Sequence, residues 1–319
     1  MAFSSTNTFP TIPVILGPTA SGKTAVGIAL AQKLGAEIIS ADSRQIFEEL
    51  TIGSAKPSVE EISKIPHHFI SEKVLTQNYD AGKFANDAHA RIREIFSSQK
   101  RVVVVGGSTL YIEGLVNGFA NLPAKNDKLR EALTKELQEK GAERLYQELK
   151  EMDPDHAKTL DPTKTQRLIR SLEVIRLTGK TLTELFRKQN PSNEFSFKLF
   201  GINLPREVLY QRINQRTDVM FEQGLLKEAE NLFKQYPTLP GQKSIINALA
   251  TVGYTELFAY FNNEISLEQA KSLIKQHTRN YAKRQLTFFR NKMSVEWLDI
   301  DPKTDSPDKI TQKILKRMQ

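Results

Sequence analysis

The run Gly17-Pro18-Thr19-Ala20-Ser21-Gly22-Lys23-Thr24 is a full match to G-x-x-x-x-G-K-[ST], the phosphate-binding loop pattern. Such a loop requires a buried strand before it and a helix after it. Both are legible. Thr11 to Leu16 is a short apolar run rich in β-branched residues and reads as a buried strand. Ala25 to Leu34 has helical spacing through Val26, Ala29 and Leu30, and Gly35 fits a C-cap. The glycines let backbone N–H groups turn inward around phosphate oxygens, and the helix N-terminus adds positive potential. Lys23 supplies a point charge, and the Thr24 hydroxyl can ligate Mg²⁺. A chance match in a turn would not need those flanks. The segment therefore predicts binding of a di- or triphosphate group.

The alternation continues. Glu37 to Ser40 reads as a second strand, ending in Ala41-Asp42-Ser43, and Phe84 to Phe96 as an amphipathic helix. Val102 to Val105 reads as a central strand buried on both faces, running into Gly106-Gly107-Ser108-Thr109. This pattern predicts an α/β fold, a parallel sheet with helices on both faces, whose ligands bind beyond the C-terminal strand ends. The phosphate loop, Asp42 and the Gly106 loop would share that edge. From about Asn117 to Glu194 the pattern changes. Lys128 to Lys150 and Thr163 to Lys188 are long, charged and helical in period, with no strand between them. Residues 117–194 thus read as a helical insertion in a core made of 1–116 and 195–319. Phe195 to Leu204 returns to strand character. Arg206 to Tyr236 and Leu267 to Asn291 read as helices, and Val295 to Ile300 as a last strand.

Composition narrows the chemistry. The 319 residues include no Cys, which excludes disulfides, cysteine zinc sites and thiol catalysis. The net charge of +8 favours a polyanionic partner. No stretch reaches the ~18–20 apolar residues of a membrane helix. Met1 to Pro10 has neither a basic start nor an apolar stretch. A cytoplasmic location is the expectation.

Several residues are candidates for chemistry. Asp42, at a strand end, suits a Mg²⁺ ligand or a general base, and equally a turn cap. Ser108 or Thr109 can meet a phosphate or cap the next helix. Arg167 and Arg170 lie on one helix face. So do Lys275, Arg279 and Lys283. Lys271 to Lys292 carries seven Lys or Arg and no acidic residue, interleaved with Tyr281, Phe288 and Phe289. Such a mixture suits nucleic acid, and also a solvated helix over a core. Arg212 and Arg216 could reach a diphosphate from the side opposite the loop, or be surface charge. His67 and His68 match no metal-ligand spacing and read as structural.

Taken in order, GPTASGKT, SADSRQIF, IGSAKP, PHHFI, VVGGSTLYI, QRLIRSLEVIRLTGKTLTEL, QRINQR, TVGYTEL and KRQLTFFR resemble the bacterial tRNA dimethylallyltransferases, also called tRNA isopentenyltransferases. The resemblance runs from about Ile12 to Asp299. It implies a P-loop kinase-like core with a helical insertion that grips the tRNA anticodon stem-loop. It implies transfer of a dimethylallyl group from dimethylallyl diphosphate to the exocyclic amine of the adenosine beside the anticodon, position 37. Gly17 to Thr24 would hold the diphosphate, with Mg²⁺ near Thr24. Asp42 would be the general base, with Ser108 and Arg216 also at the reacting centre and Arg216 on the diphosphate. Contacts to tRNA would come from Asp42, Ser43, Arg44, Gln45, Ser108 and Arg130. They would also come from Gln166, Arg167, Leu168, Ile169 and Arg170. Thr251, Val252, Gly253 and Tyr254 would face tRNA as well, as would Lys283, Arg284, Gln285 and Arg290. Where the family usually has Thr, this chain has Ser54 and Ser108, each keeping a hydroxyl. The zinc-finger extension of eukaryotic relatives is absent, as the lack of Cys requires. A monomer is expected.

The implied chemistry is coherent. The adenine must leave its stack to present its amine. Lys23, Arg216, Mg²⁺ and loop amides would take the charge of the departing diphosphate. The allylic carbon gains cationic character, so water must be excluded. The competing readings are a P-loop nucleotide kinase or other phosphotransferase, and an RNA-binding ATPase. Both share the loop and the sheet.

Overall fold

The computed structural model describes residues 10–119, 122–187, 194–241, 244 and 246–318. The chain divides into two compact units, Met1–Val116 with Glu194–Gln319, and Asn117–Asn193. Of the expected signal-free start Met1 to Pro10, residues 1–9 lie outside the described residues, as does residue 188 of the expected helix Thr163 to Lys188.

The larger unit begins β1 (Ile12–Leu16), α1 (Lys23–Leu34), β2 (Ala36–Ala41), α2 (Val59–Lys64), β3 (His67–His68), α3 (Ala81–Ser97), β4 (Arg101–Gly106) and α4 (Thr109–Asn117). The smaller unit holds α5 (Asp127–Met152), α6 (Pro154–Ala157), α7 (Thr165–Thr178) and α8 (Leu182–Arg187). The larger unit resumes with β5 (Phe197–Asn203), α9 (Arg206–Glu222), α10 (Leu225–Gln235), α11 (Tyr254–Phe261), α12 (Leu267–Lys292), β6 (Glu296–Asp299) and α13 (Pro307–Met318).

The six strands pair in the order β3-β2-β4-β1-β5-β6, every pair parallel. Parallel neighbours need crossovers, and helices supply them on both faces. The valine run of β4 shows the consequence: Val102 and Val104 join one apolar cluster, Val103 and Val105 the other. Val14 sits opposite Val104 on one side and Leu199 on the other, which fixes β1 at the centre. Phe84 and Ile92 of α3 and Ile112 of α4 cover the first face. Val26 and Leu30 of α1 and Ile314 of α13 cover the second. Helix α12 serves both, with Phe289 on the first face and Ala282 on the second.

The boundaries differ from the sequence expectation where glycine intervenes. Arg206 to Tyr236 is two helices, because Gly224 takes φ 101° and stops α9 before α10 starts. Thr163 to Lys188 breaks at Gly179, φ 66°, into α7 and α8. Lys128 to Lys150 lies within α5, which kinks at Gly141, φ 80° and ψ 163°. These glycines lie inside periodic stretches, so apolar spacing alone does not expose them. Strand β3 has only two residues, too few to show a period. His68 serves the fold, whereas His67 lines a small cavity beside the phosphate loop. The Arg91 guanidinium can only donate, so His68 Nδ1 accepts from it at 2.6 Å and Nε2–H donates to Glu37 at 2.7 Å.

The smaller unit packs Leu133, Leu145, Leu149, Leu168, Ile169 and Leu172 into its own core. Buried Glu173 accepts from Arg170 at 2.8 Å and from the Asn126 amide at 2.7 Å. No helix among the described residues is long and apolar enough to cross a membrane.

Gly27 of α1 faces β4, and any Cβ there would collide with the Val105 side chain. Gly27→Val is therefore expected to cost about 1–3 kcal/mol through overpacking. Thermal unfolding would show a midpoint lowered by several degrees. An unchanged midpoint would contradict the packing described.

Candidate active site

The phosphate loop owes its shape to two left-handed residues, Ala20 at φ 63° and Gly22 at φ 89°. Alternation of this kind turns successive amides toward one point. Helix α1 starts directly at Lys23, earlier than the expected Ala25, with no side-chain cap and no acidic residue in its first turn. Its N-terminal amides and positive end are thus left for an anion. Gln285 braces the loop from outside: its Oε1 accepts from Thr19 N at 3.0 Å, and its Nε2 donates to Gly107 O at 2.7 Å.

Asp42 both caps a turn and faces a cavity. Its Oδ1 accepts from the amides of Arg44 at 2.9 Å and Gln45 at 3.3 Å. The same residue lines two cavities, one of about 300 Å³ and one of about 70 Å³. Thr19, Ser54 and Arg216 also line both, so the cavities share a wall at the phosphate loop. The smaller adds Lys23, Thr24 and Ser40. The larger adds apolar Met220, Leu225, Val252 and Ile274, with Arg44, Thr251 and Gly253.

Arg216 reaches the loop from α9 and donates to Thr19 Oγ1. Arg212, one turn earlier, approaches Gly22. Desolvation lowers the Arg216 pKa from its ordinary value, and the charge of Asp42 opposes that. Desolvation also brings the Lys23 ammonium down to about 8, with Asp42 raising it and Arg216 lowering it. Lys23 Nζ donates to Pro18 O at 3.3 Å. Two cations crowded beside an uncapped helix start are mutually destabilising until an anion joins them.

The remaining expected residues separate into groups. Ser108 is buried and stands behind the cavity wall. Its Oγ accepts from Ser43 N at 2.8 Å and donates to Ser43 Oγ at 3.1 Å, so it fixes the Asp42 turn and, among the described residues, lines neither cavity. Gln45 donates to Ala55 O at 2.9 Å and accepts from Ser40 Oγ at 3.2 Å. Gln285 is 2% exposed, with both ends of its carboxamide turned to the Thr19 and Gly107 loops. Tyr254 is likewise buried and donates to Glu228 at 2.7 Å. Leu168 and Ile169 are core residues of the helical unit. Arg170 is held by Glu173 and Pro123 O. Gln166 and Arg167 are exposed, and Arg130 donates to Gln166 at 3.2 Å.

The basic stripe of α12 is split. Lys275 pairs with Asp218 at 2.6 Å and Arg279 donates to Asn214 at 2.7 Å, both on α9. Arg290 turns to Asn203 and the Trp297 ring. Lys283 and Arg284 face an open groove with Phe288 and Lys292. Sequence reasoning gave no role to Glu228, nor a place in the site to Thr278 or Tyr281. Tyr281 lines the larger cavity with Arg284 over its ring, and burial pushes its phenol up to about 12.

Lys23 yields a pH-dependent expectation. A bound anion favours the charged ammonium, so its help to binding is full below pH 8 and fades as pH rises through about 8. Lys23→Met should weaken inorganic diphosphate binding about 10- to 100-fold at pH 7, read by calorimetry. The gap should narrow above pH 8. A pH-independent gap would contradict the lowered pKa.

A family model described as IPP transferase matches residues 45–292. The tRNA dimethylallyltransferase of Chloroherpeton thalassium is 54% identical over 308 residues, covering 97% of this chain and 95% of that one. That of Chlorobium chlorochromatii is 56% identical over 291 residues, covering 91% and 93%. The crystal structure of a tRNA isopentenylpyrophosphate transferase from Bacillus halodurans superposes with a TM-score of 0.69 at 32% identity, covering 97% of each chain. A eukaryotic dimethylallyltransferase described as acting on tRNA superposes with a TM-score of 0.83 at 27% identity, covering 96% of this chain and 78% of its own. With most of its length matched by the family model and by relatives above half identity, this chain belongs to the IPP transferase family of tRNA dimethylallyltransferases.

Proposed function

We propose that this chain transfers the dimethylallyl group of dimethylallyl diphosphate to N6 of the adenosine at position 37, beside the tRNA anticodon. The product is N6-(dimethylallyl)adenosine, and diphosphate leaves. The observation that carries this reading is the shared wall: Asp42, Thr19 and Arg216 line both cavities, so a carboxylate and a diphosphate site serve one space.

The amides of the phosphate loop, Lys23 and Arg216 hold the diphosphate. A flipped adenine enters the larger cavity beside Asp42. N6 attacks the allylic carbon as the carbon–oxygen bond to the diphosphate breaks. The N6 proton passes to Asp42 Oδ2, because Oδ1 is engaged by the amides of Arg44 and Gln45. The negative charge gathering on the diphosphate falls where Lys23 and Arg216 are already crowded together. Apolar Met220, Leu225, Val252 and Ile274 keep water from the allylic carbon.

The donor set also fits Mg²⁺. Thr24 and Ser40 offer oxygens to the smaller cavity, and no cluster of three His, Cys, Asp or Glu competes for the ion among the described residues. Mg²⁺ commonly keeps water and phosphate ligands, with few from protein. When bound with Thr24, it would neutralise diphosphate charge.

Contacts to tRNA are assigned to Lys283, Arg284 and Lys292 on the larger unit, and to Arg130, Gln166 and Arg167 on the helical unit. We take the working enzyme as cytoplasmic, where tRNA is found, and as a monomer.

Asp42→Asn retains the turn-capping oxygen and removes the base. It is expected to lower the single-turnover transfer rate about 10²- to 10⁴-fold while tRNA affinity stays within about threefold. Retained transfer would exclude Asp42 as the proton acceptor.

A further inference from the structure

Glu228 projects from α10 toward two loops and satisfies four donors. Its Oε2 accepts from the amides of Thr51 at 3.1 Å and Ile52 at 2.8 Å. Its Oε1 accepts from the amide of Gly53 at 2.9 Å and from the Tyr254 hydroxyl at 2.7 Å. Three consecutive amides converging on one side chain require an acceptor at both oxygens, which among uncharged side chains none supplies. The Tyr254 ring lies so close to Gly53 that a Cβ there would approach its hydroxyl to 2.5 Å. The carboxylate therefore fastens the Thr51–Gly53 backbone to the Tyr254 side chain, as well as to its own helix.

The segments carrying these partners both lead to Asp42. Gly53 and Ser54, on the first, line the larger cavity, and the Ala55 carbonyl accepts from the Gln45 side chain at 2.9 Å. The Gln45 amide in turn donates to Asp42 Oδ1. On the second, Val252 and Gly253 line the cavity, and Thr251 Oγ1 accepts from Arg44 Nε. The Arg44 amide also donates to Asp42 Oδ1. Two hydrogen-bonded routes thus start at Glu228 and end on the same carboxylate oxygen. Glu228 itself is not among the residues lining either cavity.

We propose that Glu228 is a positioning residue for the transfer step. It fixes the Thr51–Ala55 backbone on one side of the cavity, the Thr251–Tyr254 segment on the other by way of the Tyr254 side chain and, through Gln45 and Arg44, the orientation of the Asp42 carboxylate. The inference rests on the transferase reading above. It predicts a particular division of effects. The phosphate loop and the tRNA-facing cations do not depend on Glu228, so substrate binding should survive its loss. The alignment of Asp42 with the acceptor amine should not.

The test uses the full-length chain as Glu228→Ala, Glu228→Gln and Leu232→Ala. Leu232 is buried on the same helix and lines neither cavity, so its variant reports destabilisation alone. Glu228→Ala is expected to lower kcat about 100-fold, with KM for dimethylallyl diphosphate and Kd for tRNA within about threefold. Glu228→Gln keeps one acceptor oxygen and should lose about tenfold. It carries the test if the alanine variant does not fold. Hydrogen exchange of the 44–56 segment should accelerate in the Glu228 variants and not in Leu232→Ala, whose kcat stays within about threefold. The proposal is overturned by unchanged kcat in a folded Glu228 variant. It is overturned equally by a loss confined to KM or Kd, or by an equal kcat loss in Leu232→Ala. A wild-type chain with no prenyl transfer would instead overturn the reading on which the proposal rests.

Discussion

The Gln285 carboxamide lies buried between two strand-end loops, accepting from Thr19 N and donating to Gly107 O. Both of its ends are used, and the bond to Gly107 O is buried. Losing it leaves a buried carbonyl unsatisfied, at a cost of about 1–3 kcal/mol. The bridge also ties α12, packed in both apolar clusters, to the phosphate loop. Once Gln285 is fixed, Ile274, Thr278, Tyr281 and Arg284 on that helix become the cavity wall facing the loops from the first half of the chain. The phosphate loop and its opposite wall are joined across most of the sequence by one amide.

Around that frame, the charges are arranged for an anion. Lys23 and Arg216 both have lowered pKa values because desolvation disfavours their charge, and Asp42 is the acidic neighbour opposing the shift in each. A diphosphate would supply the missing negative charge, and would gain most as a leaving group when that charge peaks. The same neighbourhood explains why Asp42 needs a brace. A carboxylate between two cations would otherwise turn toward them. Amides from Arg44 and Gln45 hold one oxygen and leave the other to the cavity.

Much of this was legible in the chain. The phosphate loop, the alternation of strands and helices, Gly35 as a C-cap and the valine strand follow from local chemistry, because each feature has a short-range cause. The spacing of four between Arg212 and Arg216 likewise brings both to one face of α9, where they meet the loop. Other features depend on tertiary packing. Gln285 stands in a basic stretch, where its neighbours suggest RNA. Only the tertiary position of α12 reveals that its face turns inward. Leu168 and Ile169, which the resemblance implies as tRNA contacts, carry apolar side chains that pack in the core of the helical unit. Glu228 gives no signal at all in sequence. Its partners lie in loops far away along the chain, and a Glu on an amphipathic helix ordinarily faces solvent.

The central claim concerns which bond breaks. The loop that binds phosphate here is assigned to hold a leaving group, with no phosphoryl transfer. Incubating the protein and Mg²⁺ with unmodified tRNA and either dimethylallyl diphosphate labelled in its allyl group or γ-labelled ATP tests this directly. The account predicts label in tRNA only from the prenyl donor, recovered as N6-(dimethylallyl)adenosine, with one diphosphate released per group transferred. Label entering tRNA from ATP, or none entering from the prenyl donor, would contradict it.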